Sequence, residues 1–179
     1  PIGFPKVLVS TLASGDVSGW VGTRDITMMY SVVDIAGINR ISAAILRNAA
    51  NAVRSMAAGQ REVESSRPLI AASMFGVTTP CVTEARGILE EAGFEVIVFH
   101  ATGTGGKTME ALIEEGYFTA VLDLTTTELA DELVGGILGA GPSRLTAAGS
   151  RGIPQVVSVG ATDMVNFSSV TPPGFEDRL

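Results

Sequence analysis

Residues 93–134 read GFEVIVFHATGTGGKTMEALIEEGYFTAVLDLTTTELADELV. Two strand–helix pairs follow one another here. Residues 94–99 (FEVIVF) are apolar and β-rich. Residues 108–115 have helical spacing, with Met109, Leu112 and Ile113 on the inner side. Residues 118–124 (FTAVLDL) return to strand character, and a further helix carries Leu129, Leu133 and Ile137 along one side. Thr125 and Glu128 stand at capping-box spacing at its start. Strand–helix alternation of this kind predicts a parallel sheet with helices on its faces.

The same alternation extends outward. Residues 69–75 (LIAASMF) are a continuous apolar run, the pattern of a strand buried on both faces. Thr79-Pro80 opens a helix, a capping hydroxyl followed by proline at the first helical position, and Val82, Ala85, Leu89 and Ala92 give it a buried face that Gly93 ends. Upstream, residues 6–12 and 26–30 read as strands. Ile38, Ile41, Ile45, Ala49, Val53 and Met56 form one helical stripe ending near Gly59, with Arg40, Arg47, Asn51 and Arg54 off it. Downstream, a short helix over residues 143–150 leads to a last strand at 155–159. The expected fold is α/β, a doubly wound and mainly parallel Rossmann-like sheet in three layers. With no repeat or linker to divide it, residues 1–179 read as one domain.

Composition narrows the function. The 179 residues are 46% hydrophobic and 17% charged, with mean hydropathy +0.36, which excludes a disordered charge-rich segment. Twelve basic residues against nineteen acidic ones leave a net charge of −7, and no basic cluster stands out for nucleic acid or a membrane surface. No run is long enough to span a bilayer, and the start lacks a signal peptide, so a cytoplasmic location is expected. One cysteine, Cys81, excludes an internal disulfide framework and a multi-cysteine metal site.

Ligands of such sheets bind beyond the carboxyl ends of the strands. The segments expected there are small, hydroxyl-rich and glycine-bearing: Ser14-Gly15-Asp16, residues 76–79, residues 100–108, Asp123 with Thr125-Thr126-Thr127-Glu128, and residues 160–163. The strongest is Thr102-Gly103-Thr104-Gly105-Gly106-Lys107-Thr108, whose glycines admit close approach of a phosphate to backbone N–H groups at a helix start. Residues 101–108 fit a relaxed phosphate-loop pattern with Ala101 for the first glycine, and Asp123 ends the next strand as a magnesium carboxylate would. A general anion or nucleotide loop is the preferred reading. A glycine-rich helix start without ligand and a true phosphate-loop NTPase are the alternatives. His100, the lone histidine, excludes a multi-histidine metal site; like Asp123 and Glu128 it is an acid/base candidate. Asp16, Asp25 and Asp34, with Asp123, are the candidate magnesium carboxylates, Asp34 being equally a candidate cap.

PKVLVSTLASGDV, VGTRDITMMYSVVDIAGINRIS, MFGVTTPCV, FHATGTGGKTMEALI and VLDLTTTELADELVGG together resemble the family of the tomato mosaic virus resistance protein ATP-binding domain, whose bacterial members are largely uncharacterised. The resemblance covers residues 1–167 and implies two Rossmann-like subdomains per protein. This chain would be the second, its missing first subdomain contributing to a nucleotide site. It also implies ATP, with or without magnesium, as the ligand, and self-association. The family loop has arginine and alanine after GTGG where this chain has Lys107-Thr108, which weighs against the NTPase reading. The expected protein is a binding module for a small anion or nucleotide that associates as a symmetric dimer; an enzyme on a small phosphorylated or carboxylated substrate, or an interaction module without a ligand, are the other classes.

Overall fold

A computed structural model describes residues 2–59, 66–169 and 174–175. Among the described residues six strands form where the sequence places them, but in two sheets rather than one. The chain divides into two compact units at residues 65 and 66, in place of the single expected domain. The physical reason lies in the pairing: the first two strands hydrogen-bond to each other, and the other four form a separate sheet.

In the first unit, β1 (Val7–Ser10) and β2 (Thr27–Tyr30) pair in parallel, Val7 against Thr27 and Ser10 against Tyr30. They are joined through a 3-10 turn (Thr11–Ser14) and the short α1 (Ser18–Val21). The 19-residue α2 (Arg40–Ala58) packs on β1. Asn39 caps it: its side chain accepts the Ile41 and Ser42 amides, and Ser42 Oγ accepts the Asn39 amide. Of the expected stripe, Ala49 is buried, but Ile38 precedes the helix and is exposed, as is Ile41.

In the second unit the strands are β3 (Leu69–Met74), β4 (Glu95–His100), β5 (Ala120–Asp123) and β6 (Gln155–Val157), all parallel, in the spatial order β4-β3-β5-β6. The apolar run of β3 explains its central place. Ala71 faces one core with Met109, Ile113, Phe118, Val121, Ala147 and Ala148, whereas Ile70 and Ala72 face the other with Val82 and Val96. Val82 comes from α3 (Thr79–Glu91); Met109 and Ile113 from α4 (Thr104–Glu114); Ala147 and Ala148 from α6 (Ala147–Arg151). Helices therefore cover both faces, the three-layer arrangement expected. Gly93 ends the α3 turn at φ +93°, a conformation glycine adopts without strain.

Several helices differ from the sequence reading: α4 begins at Thr104, not Thr108, and α6 at Ala147, not Ser143. Thr79 is already helical, the cap position falls on Thr78, and neither hydroxyl caps α3. α5 (Thr127–Val134) is turned over: Thr127, Glu128 and Asp131 are fully buried, while Leu133 is 85% exposed and Ile137 is exposed beyond the helix. No helix among the described residues is long and apolar enough to cross a membrane.

Candidate functional site

The strand order sets where a site can be. The chain runs from β3 outward to β4, then returns across β3 to β5, so the loops after β3 and β5 leave the sheet on either side of one gap. Thr78 Oγ1 and Thr125 Oγ1 lie 2.6 Å apart across it. Ser73, at the end of β3, ties the same place together: its hydroxyl donates to Asp123 Oδ1 at 2.6 Å and accepts the Thr125 amide at 2.9 Å.

Beneath this edge is a buried ion cluster centred on Arg144. Its guanidinium donates twice to Asp123 (2.5 and 2.6 Å), through Nε to Glu128 Oε2 at 2.7 Å, and to Glu110 Oε1 at 3.1 Å. Glu110 also accepts the Leu145 and Ala147 amides at 2.8 and 2.9 Å, fixing the segment around Arg144. Burial works against the charge on Arg144, but hydrogen bonds and attraction from Asp123 and then Glu128 outweigh it and hold the guanidinium protonated more firmly than usual.

The glycine turn and Glu128 do come together, though not as a capping box. Glu128 Oε1 accepts the Gly103 amide at 2.7 Å and the Gly106 amide at 3.0 Å. A Cβ on Gly106 would overlap that carboxylate, and one on Gly105 would overlap the His100 carbonyl. The turn's close approaches are thus made to the protein itself. Thr102 and Thr104 amides donate to His100 and Thr102 carbonyls, and Lys107 to Gly103, leaving Gly105 as the one amide of residues 102–107 with no acceptor among the described residues. Lys107 and Thr104 are exposed on the first turn of α4, and the Thr108 hydroxyl donates to the Thr104 carbonyl.

The remaining candidates separate. Thr126 Oγ1 donates to the Ser158 carbonyl and Thr127 Oγ1 to that of Met164, so both hydroxyls anchor the segment after β6. Ser14, Gly15 and Asp16 belong to the first unit, where Asp16 accepts the Ser18 amide at 2.8 Å. That backbone bond, followed by the Ser18 hydroxyl, holds the Asp16 carboxyl below its ordinary range. Asp25 pairs with Lys6, Asp34 is exposed, and Cys81 is exposed on the first turn of α3. His100 is exposed, its ring edge-on to Phe75 at 5.5 Å. Asp123 and Glu128 are fully buried and engaged, so of the acid/base candidates only His100 opens to solvent. Among the described residues no group of three or more metal-ligating side chains is placed to hold an ion.

Arg144, Glu110 and Ser73 were not legible as a cluster in the sequence, nor was buried Asp131, which accepts the Leu138 and Asn166 amides apart from that cluster. Glu110 had one signal, a charge between Met109 and Ile113 on the inward face of α4. Asp131 had another: with Thr127 and Glu128 it makes a polar helical stripe as regular as the apolar one opposite. Arg144 had none.

The second unit is thus a doubly wound, Rossmann-like α/β unit with its glycine- and threonine-rich loops at the carboxyl edge. Residues 1–62 match the N-terminal domain of the uncharacterised protein family UPF0261, and residues 67–178 its C-terminal domain, so the two matches meet at the boundary between the units. The chain belongs to that family. It is 58% identical to a UPF0261 protein of Clostridium tetani, over 99% of this chain and 45% of the relative. To a UPF0261 protein of Mesorhizobium japonicum it is 49% identical, over 100% and 45%. To the ToMV resistance protein Tm-1(GCR237) of Solanum lycopersicum it is 46% identical, over 99% and 25%. The chain spans less than half the length of these relatives.

Proposed function

We propose that the second unit binds a small phosphate-bearing anion, a nucleotide of the ATP class, at the carboxyl edge of its sheet. The observation that carries this reading is the gap between β3 and β5, the position where doubly wound sheets take their ligands. The N-terminal ends of α3 and α4 follow β3 and β4 at the same edge and favour negative charge there. Lys107, Thr104 and the Gly105 amide are the groups left to meet phosphate oxygens, with the Phe75–His100 pair beside them for a base to stack on. Glu128 supports the turn from beneath, Asp123 holds the Arg144 that pairs with Glu128, and neither touches the ligand. Magnesium, if it accompanies the nucleotide, is held through the phosphates, since both carboxylates are engaged by Arg144.

Calorimetric titration of the 179-residue chain with ATP and with inorganic phosphate tests this. Saturable binding by the native protein, weakened several-fold in Lys107→Ala at unchanged thermal stability, is expected. Absence of binding at millimolar ligand refutes it, and loss of ATP with time would make the site an enzyme's. A second reading, a self-associating module, is favoured by the outward apolar side of α5 (Leu133, with Ile137 after it) and the exposed Val156, Val157 and Val159 along and after β6. Sedimentation showing a strict monomer at high micromolar concentration removes it.

A further inference from the structure

The outward side of α2 differs from an ordinary solvated helix. Arg40, Ala44, Arg47, Asn51, Arg54 and Ala58 are all exposed. Their spacing alternates four and three, which keeps them within about 40° of one line along a helix of 3.6 residues per turn. Buried Ala49 and Ser42 lie on the opposite side. No acidic residue occurs in the 19 residues of α2, and none of the three arginines has an ion pair among the described residues. A merely solvated helix usually mixes signs at i,i+4; here three like charges share one line in a protein of net charge −7.

Four–three alternation is also the spacing of a helix–helix seam. Along this one, small or short residues (Ala44, Asn51, Ala58) alternate with arginines about 10.5 Å apart, from seven residues at 1.5 Å each. The small positions let a second helix approach, and each guanidinium offers a planar fork that matches a carboxylate. We propose that this face of α2 docks an acidic helix of a protein partner, one presenting a carboxylate about every seventh residue. The α2 of a second copy does not fit, because in either orientation its three arginines join these along one seam with no carboxylate between them. A nucleic acid fits poorly, since a backbone bearing a phosphate about every 3.4 Å per strand would find three cations and a repelling net charge.

The test uses the 179-residue chain and a labelled synthetic helix of three heptads with one glutamate per heptad, followed by fluorescence anisotropy at low and high salt. The counterpart with lysine in place of glutamate and a duplex RNA serve as controls. Saturable binding to the acidic helix alone, lost at high salt, is expected. Arg47→Glu should weaken it about tenfold, since an exposed attraction becomes a repulsion of similar size. Ala44→Gln keeps every charge but fills the seam, and should weaken binding as well; circular dichroism checks that both variants keep their helix. No binding, RNA binding as tight as peptide binding, or full binding by Ala44→Gln would each overturn the proposal, the last by showing diffuse attraction without helix packing.

Discussion

Replacing Glu128 by glutamine separates two accounts of that residue. As the closing member of a capping box it would tolerate the change at a cost of about a few tenths of a kcal/mol, because glutamine fills the box too. The structure gives it different partners: two buried amides at 2.7 and 3.0 Å on one oxygen, and the Arg144 Nε at 2.7 Å on the other. Glutamine keeps one oxygen for the amides but turns an NH2 toward the guanidinium, donor against donor. Losing one charge-assisted bond in a buried site costs about 1.5–3 kcal/mol, so Glu128→Gln should lose roughly 2–3 kcal/mol. Glu128→Ala also strands both amides, and breaking a buried pair from one side costs about 3–5 kcal/mol. Urea unfolding followed by circular dichroism gives the stabilities, and hydrogen exchange at Gly103 and Gly106 reports the turn itself. A glutamine variant within about 0.5 kcal/mol of the native protein, the ordinary range of a surface substitution, with unchanged exchange at both amides, would refute the argument.

Gly105→Ala should destabilise the second unit by about 1–3 kcal/mol, as overpacking does, because its Cβ would overlap the His100 carbonyl. Gly87→Ala, with open space around its Cβ within α3, should instead stabilise by about 0.5–1 kcal/mol; urea unfolding of the pair checks the contrast. Leu133→Gln should shift stability by less than about 0.5 kcal/mol, since the side chain is solvated. A loss of about 2 kcal/mol or more, the range for a core leucine, would mean that α5 faces the other way. The Asp25 carboxyl is held below its ordinary range first by the Lys6 hydrogen bond and then by the Gly3 amide. Its stabilisation is therefore present above the usual carboxylate value of about 3.9 and is lost as pH falls through the lower folded value. Acid unfolding of Asp25→Asn, compared with the native protein, should differ above that window and converge below it.

The sequence by itself determined the strands and the fold class. β3 was legible as a buried central strand because a continuous apolar run is a local property. The six strands were found because Gly93, the 76–79 turn and similar punctuation bound them locally too. The position of the glycine turn at the edge of the sheet followed from the same alternation. What α5 does with its two faces was not legible, because periodicity yields two opposite stripes, and Leu133 and Glu128 are equally regular on each. Only the neighbours decide, and those neighbours are distant along the chain. Glu128 meets amides 22 and 25 residues earlier, and Arg144 meets Asp123 across 21 residues and Glu110 across 34. The division into a two-stranded and a four-stranded sheet was settled in the same way. A strand's pattern states how deeply it is buried, whereas its partner is chosen by hydrogen bonds and packing that exist only once the chain has folded.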